Sequence, residues 1–147
     1  MSIFSKFLQP SQDPGLPEIK TEAEAFMVIL YAVVTADQAL FDSELDALIA
    51  VCKARGQFQD IDVEVLLDRV MEISADANGA VNLIRPAAIR LTEAHREAVF
   101  ITALDLVLAD GYIHNEEAVL LQELEQVLKI KPELADQARD IMKRKYL

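Results

Sequence analysis

The sequence holds one cysteine, four glycines, two histidines and no tryptophan in 147 residues. A lone Cys52 excludes an intrachain disulfide and any multi-cysteine zinc site, and it agrees with a reducing compartment, so we expect a buried thiol in a cytoplasmic protein. With glycine scarce and Ala, Leu, Glu, Gln and Lys abundant, local propensity is helical almost throughout. No strand-like two-residue alternation competes with the helical patterns. Basic residues are also few: 14 Lys and Arg stand against 25 Asp and Glu, a formal net charge of −11. Binding nucleic acid normally demands a basic face that displaces counterions from phosphates. The charge balance therefore weighs against that partner and favours cations and basic protein surfaces.

A long apolar run is missing as well. The longest nearly unbroken one, residues 25–36, has 12 residues, short of the roughly 20 that a transmembrane helix needs. The opening MSIFSKFLQPSQDPG has no basic region ahead of its apolar part and quickly turns polar, unlike a secretory signal. Gly-rich phosphate loops, a G-x-S-x-G elbow and a dinucleotide fingerprint are all absent. His95 and His114 form neither an HExxH pair nor the Glu-x-x-His of di-iron bundles. The expectation is that the chain is not an enzyme. Apolar residues make up 52% of it, at a mean hydropathy of +0.19, which at this length supplies one sizeable core.

The chain repeats itself. Shifted by 73 positions, Glu24, Ala25, Val34, Ala36, Asp37, Glu44 and Leu48 fall on identical residues at Glu97, Ala98, Val107, Ala109, Asp110, Glu117 and Leu121. Each copy reads as a very apolar helix, a short acidic elbow and an amphipathic helix. Such a unit cannot bury both apolar surfaces alone, whereas two facing units can.

Taken in order, residues 1–20 read as an N-terminal arm, with Ile3, Phe4, Phe7 and Leu8 on one helical face, followed by the Pro-rich connection PSQDPGLP. Docking of that arm on the domain is the expectation. Peripheral membrane association is the alternative, with one Lys giving little attraction to anionic lipid. Residues 21–147 read as a single domain, with repeat one over 21–77 and repeat two over 93–146. Thr21 caps a helix with Glu22 and Glu24 in its first turn and AFMVILYAVVTA apolar on nearly every side. Asp42 or Ser43 caps the next helix, where Leu45, Leu48, Ile49 and Cys52 share a face and Gly56 offers a left-handed closing residue. Val63, Leu66, Val70 and Ile73 mark a third helix ending near Asn78 and Gly79. A shorter one follows around 81–91, where Pro86 fits only near the first turn or at a kink. Thr92 and Glu93 open the second apolar helix, whose one exception is Asp105. Leu120, Leu121, Leu124, Val127 and Leu128 stripe the next. Pro132 suits the first turn of a last helix, with Leu134, Ala138, Ile141 and Met142 inward and a basic end of Arg139, Lys143, Arg144 and Lys145 complementing the helix dipole. The fold class is all-α, a compact bundle of about seven to eight helices built from two pseudo-symmetric repeats.

The chemical signal lies in the elbows, ADQALFDSE at 36–44 and ADGYIHNEE at 109–117. Each sets an Asp at the end of an apolar helix and a Glu seven residues later in the first turn of the next. Asp110, Gly111, Ile113 and Glu117 also match the latter half of a calcium-binding EF-hand loop. The first and third ligand positions of such a loop fall on Leu106 and Leu108, or on Val33 and Thr35. Only Thr35 carries a side-chain oxygen, so a self-contained EF-hand is rejected. What remains is a pair of half-loops whose carboxylates can converge on a cation. The same acids also suit helix starts: Asp42, Ser43 and Asn115 are good caps, and Glu44, Glu116 and Glu117 complement the dipole. Spacing leaves both readings open.

The repeated ADG-type elbow followed by a Glu, inside two similar helical units, resembles the tellurite-resistance TerB-like family over roughly residues 24–142. The resemblance implies a compact all-α domain associated with metal stress and tellurite resistance, sometimes fused to other modules including DnaJ-like proteins. It also implies an acidic cluster for a divalent cation, whether calcium, magnesium, manganese or zinc. By position that role passes to Asp37 and Glu44 and to Asp110 and Glu117, with Asp42 and Glu116 as neighbours. Gln38 departs from the pattern, standing where the second elbow has Gly111. The function expected is cation binding at the paired elbows in a metal or tellurite stress response, with a protein partner. The alternative is a protein-interaction module whose acids serve only as caps.

Overall fold

A computed structural model of the chain describes residues 15–36, 42–109, 113 and 115–147. The described residues form seven α-helices and no strand: α1 (Glu22–Val34), α2 (Asp42–Lys53), α3 (Val63–Asp76), α4 (Ile84–Arg90), α5 (Glu93–Leu108), α6 (Asn115–Val127) and α7 (Pro132–Lys145). Two 3-10 turns, Gly56–Phe58 and Ala80–Leu83, precede α3 and α4 respectively. The N-terminal arm as far as residue 14 lies outside the described residues.

Helix α1 is the centre of the bundle, as its unbroken apolar sequence demands. Eleven of its 13 residues are buried, and it packs on α2, α3, α4, α5 and α6. Tyr31 is its one half-buried apolar position. The second apolar helix, α5, lies against α1 and also meets α2, α6 and α7. A single apolar cluster runs through all seven helices, with Phe26, Phe58, Phe100, Leu30, Leu104 and Leu124 among its fully buried members.

Thr21 caps α1, its hydroxyl accepting the Glu24 N–H at 3.1 Å. The Glu24 carboxylate reaches back to the Lys20 N–H at 2.6 Å, a capping box displaced by one residue. Thr92 caps α5 in the same way through the His95 N–H at 3.2 Å. Pro86 is the third residue of α4, and Pro132 the first of α7, where a missing N–H costs nothing. The end of α3 is a Schellman turn. Asn78 takes the left-handed conformation (φ 60°), and the Gly79 N–H closes on the Ser74 carbonyl at 2.8 Å.

Three local expectations change. Gly56 opens a 3-10 turn and has no positive φ, so α2 ends without a left-handed glycine. Asp42 and Ser43 already belong to α2, as Asn115 does to α6, so these residues are first-turn residues rather than caps. Ile141 is 59% exposed, because the buried side of α7 runs through Ala135, Ala138 and Met142. Leu134 is half-buried beside them.

The basic end of α7 does more than oppose the helix dipole. Lys145 pairs with Asp105 at 3.0 Å, the Tyr146 hydroxyl donates to the same carboxylate, and Arg139 pairs with Glu125 at 2.7 Å. Asp105, the exception in the apolar series of α5, thus fastens the end of the last helix to a central one. Its hydrogen bond raises the pKa of Lys145 by favouring the charged ammonium, and raises that of Tyr146 by favouring the neutral phenol.

Cys52 is fully buried. Burial pushes its thiol up to about 12, against an opposing pull from the Arg55 charge. Since the thiolate is the reactive form, native protein is expected to leave Ellman's reagent unreacted at mildly alkaline pH and to release one equivalent on unfolding in urea. Rapid reaction of the folded protein would show that α2 opens far more readily than its packing implies.

Candidate metal centre

Both elbows hang from the C-terminal ends of the central helices, and the opposite ends of those helices are tied together. The Glu22 carboxylate of α1 accepts from the Thr92 N–H of the α5 cap at 3.3 Å and contacts His95 Nδ1. One residue thereby begins α1 and holds the cap residue of α5. The paired positions, 22 and 95, stand at the repeat offset of 73. From this junction α1 extends 13 residues and α5 16 residues, or roughly 20 and 24 Å at 1.5 Å per residue, before the elbows begin.

The Glu22 junction carries a pH signature. The hydrogen bond to His95, and next to it the Thr92 N–H, hold the Glu22 carboxyl below its usual 4.5. A depressed folded-state pKa contributes stability that is complete above the unfolded value and disappears as pH falls through the folded one. Thermal melts taken from about pH 6 down to about pH 3 should therefore fall less steeply for Glu22→Gln than for the wild type. The side chain is about one-third exposed, so the difference is small; parallel curves would remove Glu22 from the acid transition.

The first elbow leaves α1 through Thr35, whose hydroxyl donates to the Tyr31 carbonyl at 2.7 Å. Asp37 and Asp110, the acids preceding each turn, lie outside the described residues, as do Gly111 and His114. Of the acids that follow the turns, Asp42 and Glu116 are exposed, Glu44 is half-buried, and Glu117 is buried with 8% exposure. Glu44 and Glu117 are the third residues of α2 and α6. At helical spacing that position lies one turn before the buried Leu48 and Leu121, while Asp42 and Glu116 are exposed. Glu44 and Glu117 each make a polar contact. Among the described residues no three His, Cys, Asp or Glu side chains come together as a metal-binding group. The described part of each elbow thus carries one acid withdrawn from solvent, half-buried at Glu44 and buried at Glu117. Oxygen donors of this kind suit calcium, magnesium or manganese better than zinc, which prefers nitrogen and sulfur.

Ile113 of the second elbow lines a groove of about 270 Å3 with Leu104, Leu121 and Gln122, edged by the Glu125–Arg139 pair. The most enclosed acid of the described chain is elsewhere. Glu24, 1% exposed, contacts Arg69 of α3, whose guanidinium also donates to the Glu18 carbonyl at 3.1 Å. Sequence reasoning read Glu22 and Glu24 as first-turn acids facing the dipole and missed both roles. The available signal was a capping-box Glu followed by an entirely apolar helix, a position with no exposed side.

The described residues form an all-α bundle organised on two central apolar helices, each followed in the sequence by an acidic stretch. The chain belongs to the TerB family: the family model described as tellurite resistance protein TerB matches residues 23–140, most of its length. Compared with curated proteins and with solved structures, the chain matches none. No helix among the described residues is long and apolar enough to cross a membrane.

Proposed function

We propose that this TerB-family chain is a non-enzymatic cytoplasmic protein that takes up a divalent cation through its acidic elbows and serves in metal or tellurite stress, acting through a protein partner. The observation that carries the reading is the reduced exposure of Glu44 and Glu117 at equivalent positions after the two elbows, next to the sequence placement of Asp37 and Asp110 before them. Two carboxylates about 4 Å apart repel by roughly 4 kcal/mol at an effective dielectric near 20. A cation held between such groups relieves that cost. In this reading Glu117 and Asp110 form one half-site and Glu44 and Asp37 the other, with Asp42 and Glu116 adding negative potential from the solvent side. The net charge of −11 attracts cations and opposes nucleic acid.

Two-fold repetition is part of the same proposal. Helices α2 and α6 begin 73 residues apart, α1 and α5 overlap at that offset, and Glu22 meets its own equivalent, His95. Contact between equivalent positions is what a local twofold axis produces. An interaction module whose elbows are only caps is the alternative, and the groove beside Ile113 favours it.

Protein stripped with EDTA and melted with calcium, magnesium, manganese or zinc tests the reading. Binding to the folded state adds roughly 2.7 kcal/mol when free ion is 100 times the dissociation constant. A rise in melting temperature is expected for the oxygen-preferring ions, and it should be lost in Asp110→Asn and Glu117→Gln. No ion-dependent shift in the wild type would leave the acids as helix-start residues and turn attention to the interaction module.

A further inference from the structure

We propose that Asn78 is a site of spontaneous deamidation, and that the folded end of α3 sets its rate. The chain has three asparagines, and only Asn78 is followed by glycine. Its side chain is exposed. Asn82, by contrast, donates its amide to the Ala77 carbonyl at 2.8 Å, and Asn115 precedes Glu116 within α6. With no Cβ on Gly79, no side chain of that residue shields the amide nitrogen that follows Asn78. In the reaction this nitrogen attacks the Asn78 Cγ, a new N–C bond closes a succinimide, and the bond from Cγ to the side-chain nitrogen breaks. The nitrogen leaves as ammonia, taking up the proton given up by the Gly79 N–H. Water then opens the ring at either carbonyl to give aspartate or isoaspartate.

The fold restrains the first step. The Gly79 N–H is held by the Ser74 carbonyl at 2.8 Å, Asn78 sits at φ 60°, and Gly79 sits at φ 127°. Attack requires the nitrogen to leave that hydrogen bond and the Asn78 backbone to turn, so the reactive state is one in which the last turn of α3 has frayed. The Asn82 amide, bonded to Ala77 next to this turn, is a positioning group that holds it closed. Isoaspartate adds a methylene to the main chain at the point where the Schellman turn feeds the Ala80–Leu83 turn, whose Ala80 and Leu83 are buried in the core and which packs on α1 and α3. Local opening is thereby recorded as a permanent covalent change, with one further negative charge.

The full chain, incubated at mildly alkaline pH and physiological temperature, can be followed by peptide mass spectrometry and by isoaspartyl methyltransferase labelling. Conversion is expected at Asn78 and not at Asn82 or Asn115. It should be several-fold faster in unfolding concentrations of urea, and several-fold faster in Asn82→Ala under native conditions. Should Asn82→Ala fail to fold, wild-type protein in urea below its unfolding transition gives the same reading, with the rate rising as α3 frays. Asn78 persisting as long as the other two asparagines in native protein would overturn the proposal. So would equal rates in native and unfolded chains.

Discussion

Arg69→Met is expected to lower the unfolding free energy by about 3 kcal/mol, the lower end of what breaking a buried ion pair costs. The reason is asymmetry. The Glu24 side chain is 2% exposed and that of Arg69 35%, so removing the guanidinium strands a charge that water cannot reach, whereas the arginine is already about one-third solvated. Part of the carboxylate's hydrogen bonding survives through the Lys20 N–H, which keeps the loss from reaching the upper end of the range. Adding Glu24→Gln to the variant should recover some of the loss, since a neutral amide is cheaper to bury than an unpaired charge. Urea unfolding of the two single variants and the double variant gives the coupling energy directly. A loss under about 0.5 kcal/mol for Arg69→Met, the scale of an ordinary surface substitution, would mean that solvent replaces Arg69 and that the pair does not hold α1 to α3.

Phe26→Ala should cost about 4 kcal/mol, within the 3–5 typical of removing a buried aromatic ring. Phe26 is fully buried in α1, meets Phe58 edge to face with centroids 6.0 Å apart, and lies beneath the Arg55 guanidinium at 4.5 Å. The variant therefore loses apolar burial, an aromatic pair and a cation–π contact together. Against a total stability of about 5–15 kcal/mol for a domain of this kind, a large share disappears, and the urea midpoint should fall with an unchanged slope. A loss under about 1.5 kcal/mol would show that the surrounding side chains collapse into the space.

The elements were legible where one local rule ruled alone. Thr21 and Thr92 signalled helix starts through their hydroxyls, Pro132 suited a first turn, and Asn78–Gly79 marked the end of α3. The apolar run from Ala25 onward could only be enclosed, and α1 is the bundle's centre. Ile141 was misplaced because α7 reads as inward on either of two overlapping stripes, and only its packing on α5 selects the one through Ala135, Ala138 and Met142. At Gly56 a left-handed close was permitted but not required, and the chain turned by a 3-10 turn instead.

Partners across the bundle were not legible. Asp105 broke the pattern of α5 visibly, yet nothing local indicates that Lys145 and Tyr146, some forty residues on, would come to it. Likewise Glu22 and Glu24 are adjacent first-turn acids in the sequence. Rotation by about 200° around the helix axis sends one toward α5 and the other toward α3. The candidate cation site divides in the same way: the spacing of Asp and Glu across each elbow is written in the sequence, but the difference between Glu117 and Glu116 is one of burial.

By itself, then, the sequence determined an all-helical chain, the identity of its central helices, and an acidic stretch after each. These follow from side-chain periodicity, capping chemistry and the fixed reach of residues close along the chain. Tertiary structure alone decided which acid is enclosed, which basic residue answers it, and which face of α7 is dry. Those outcomes depend on how helices far apart in sequence pack, and the free energy of a charge or an apolar side chain is set by the neighbours that packing provides.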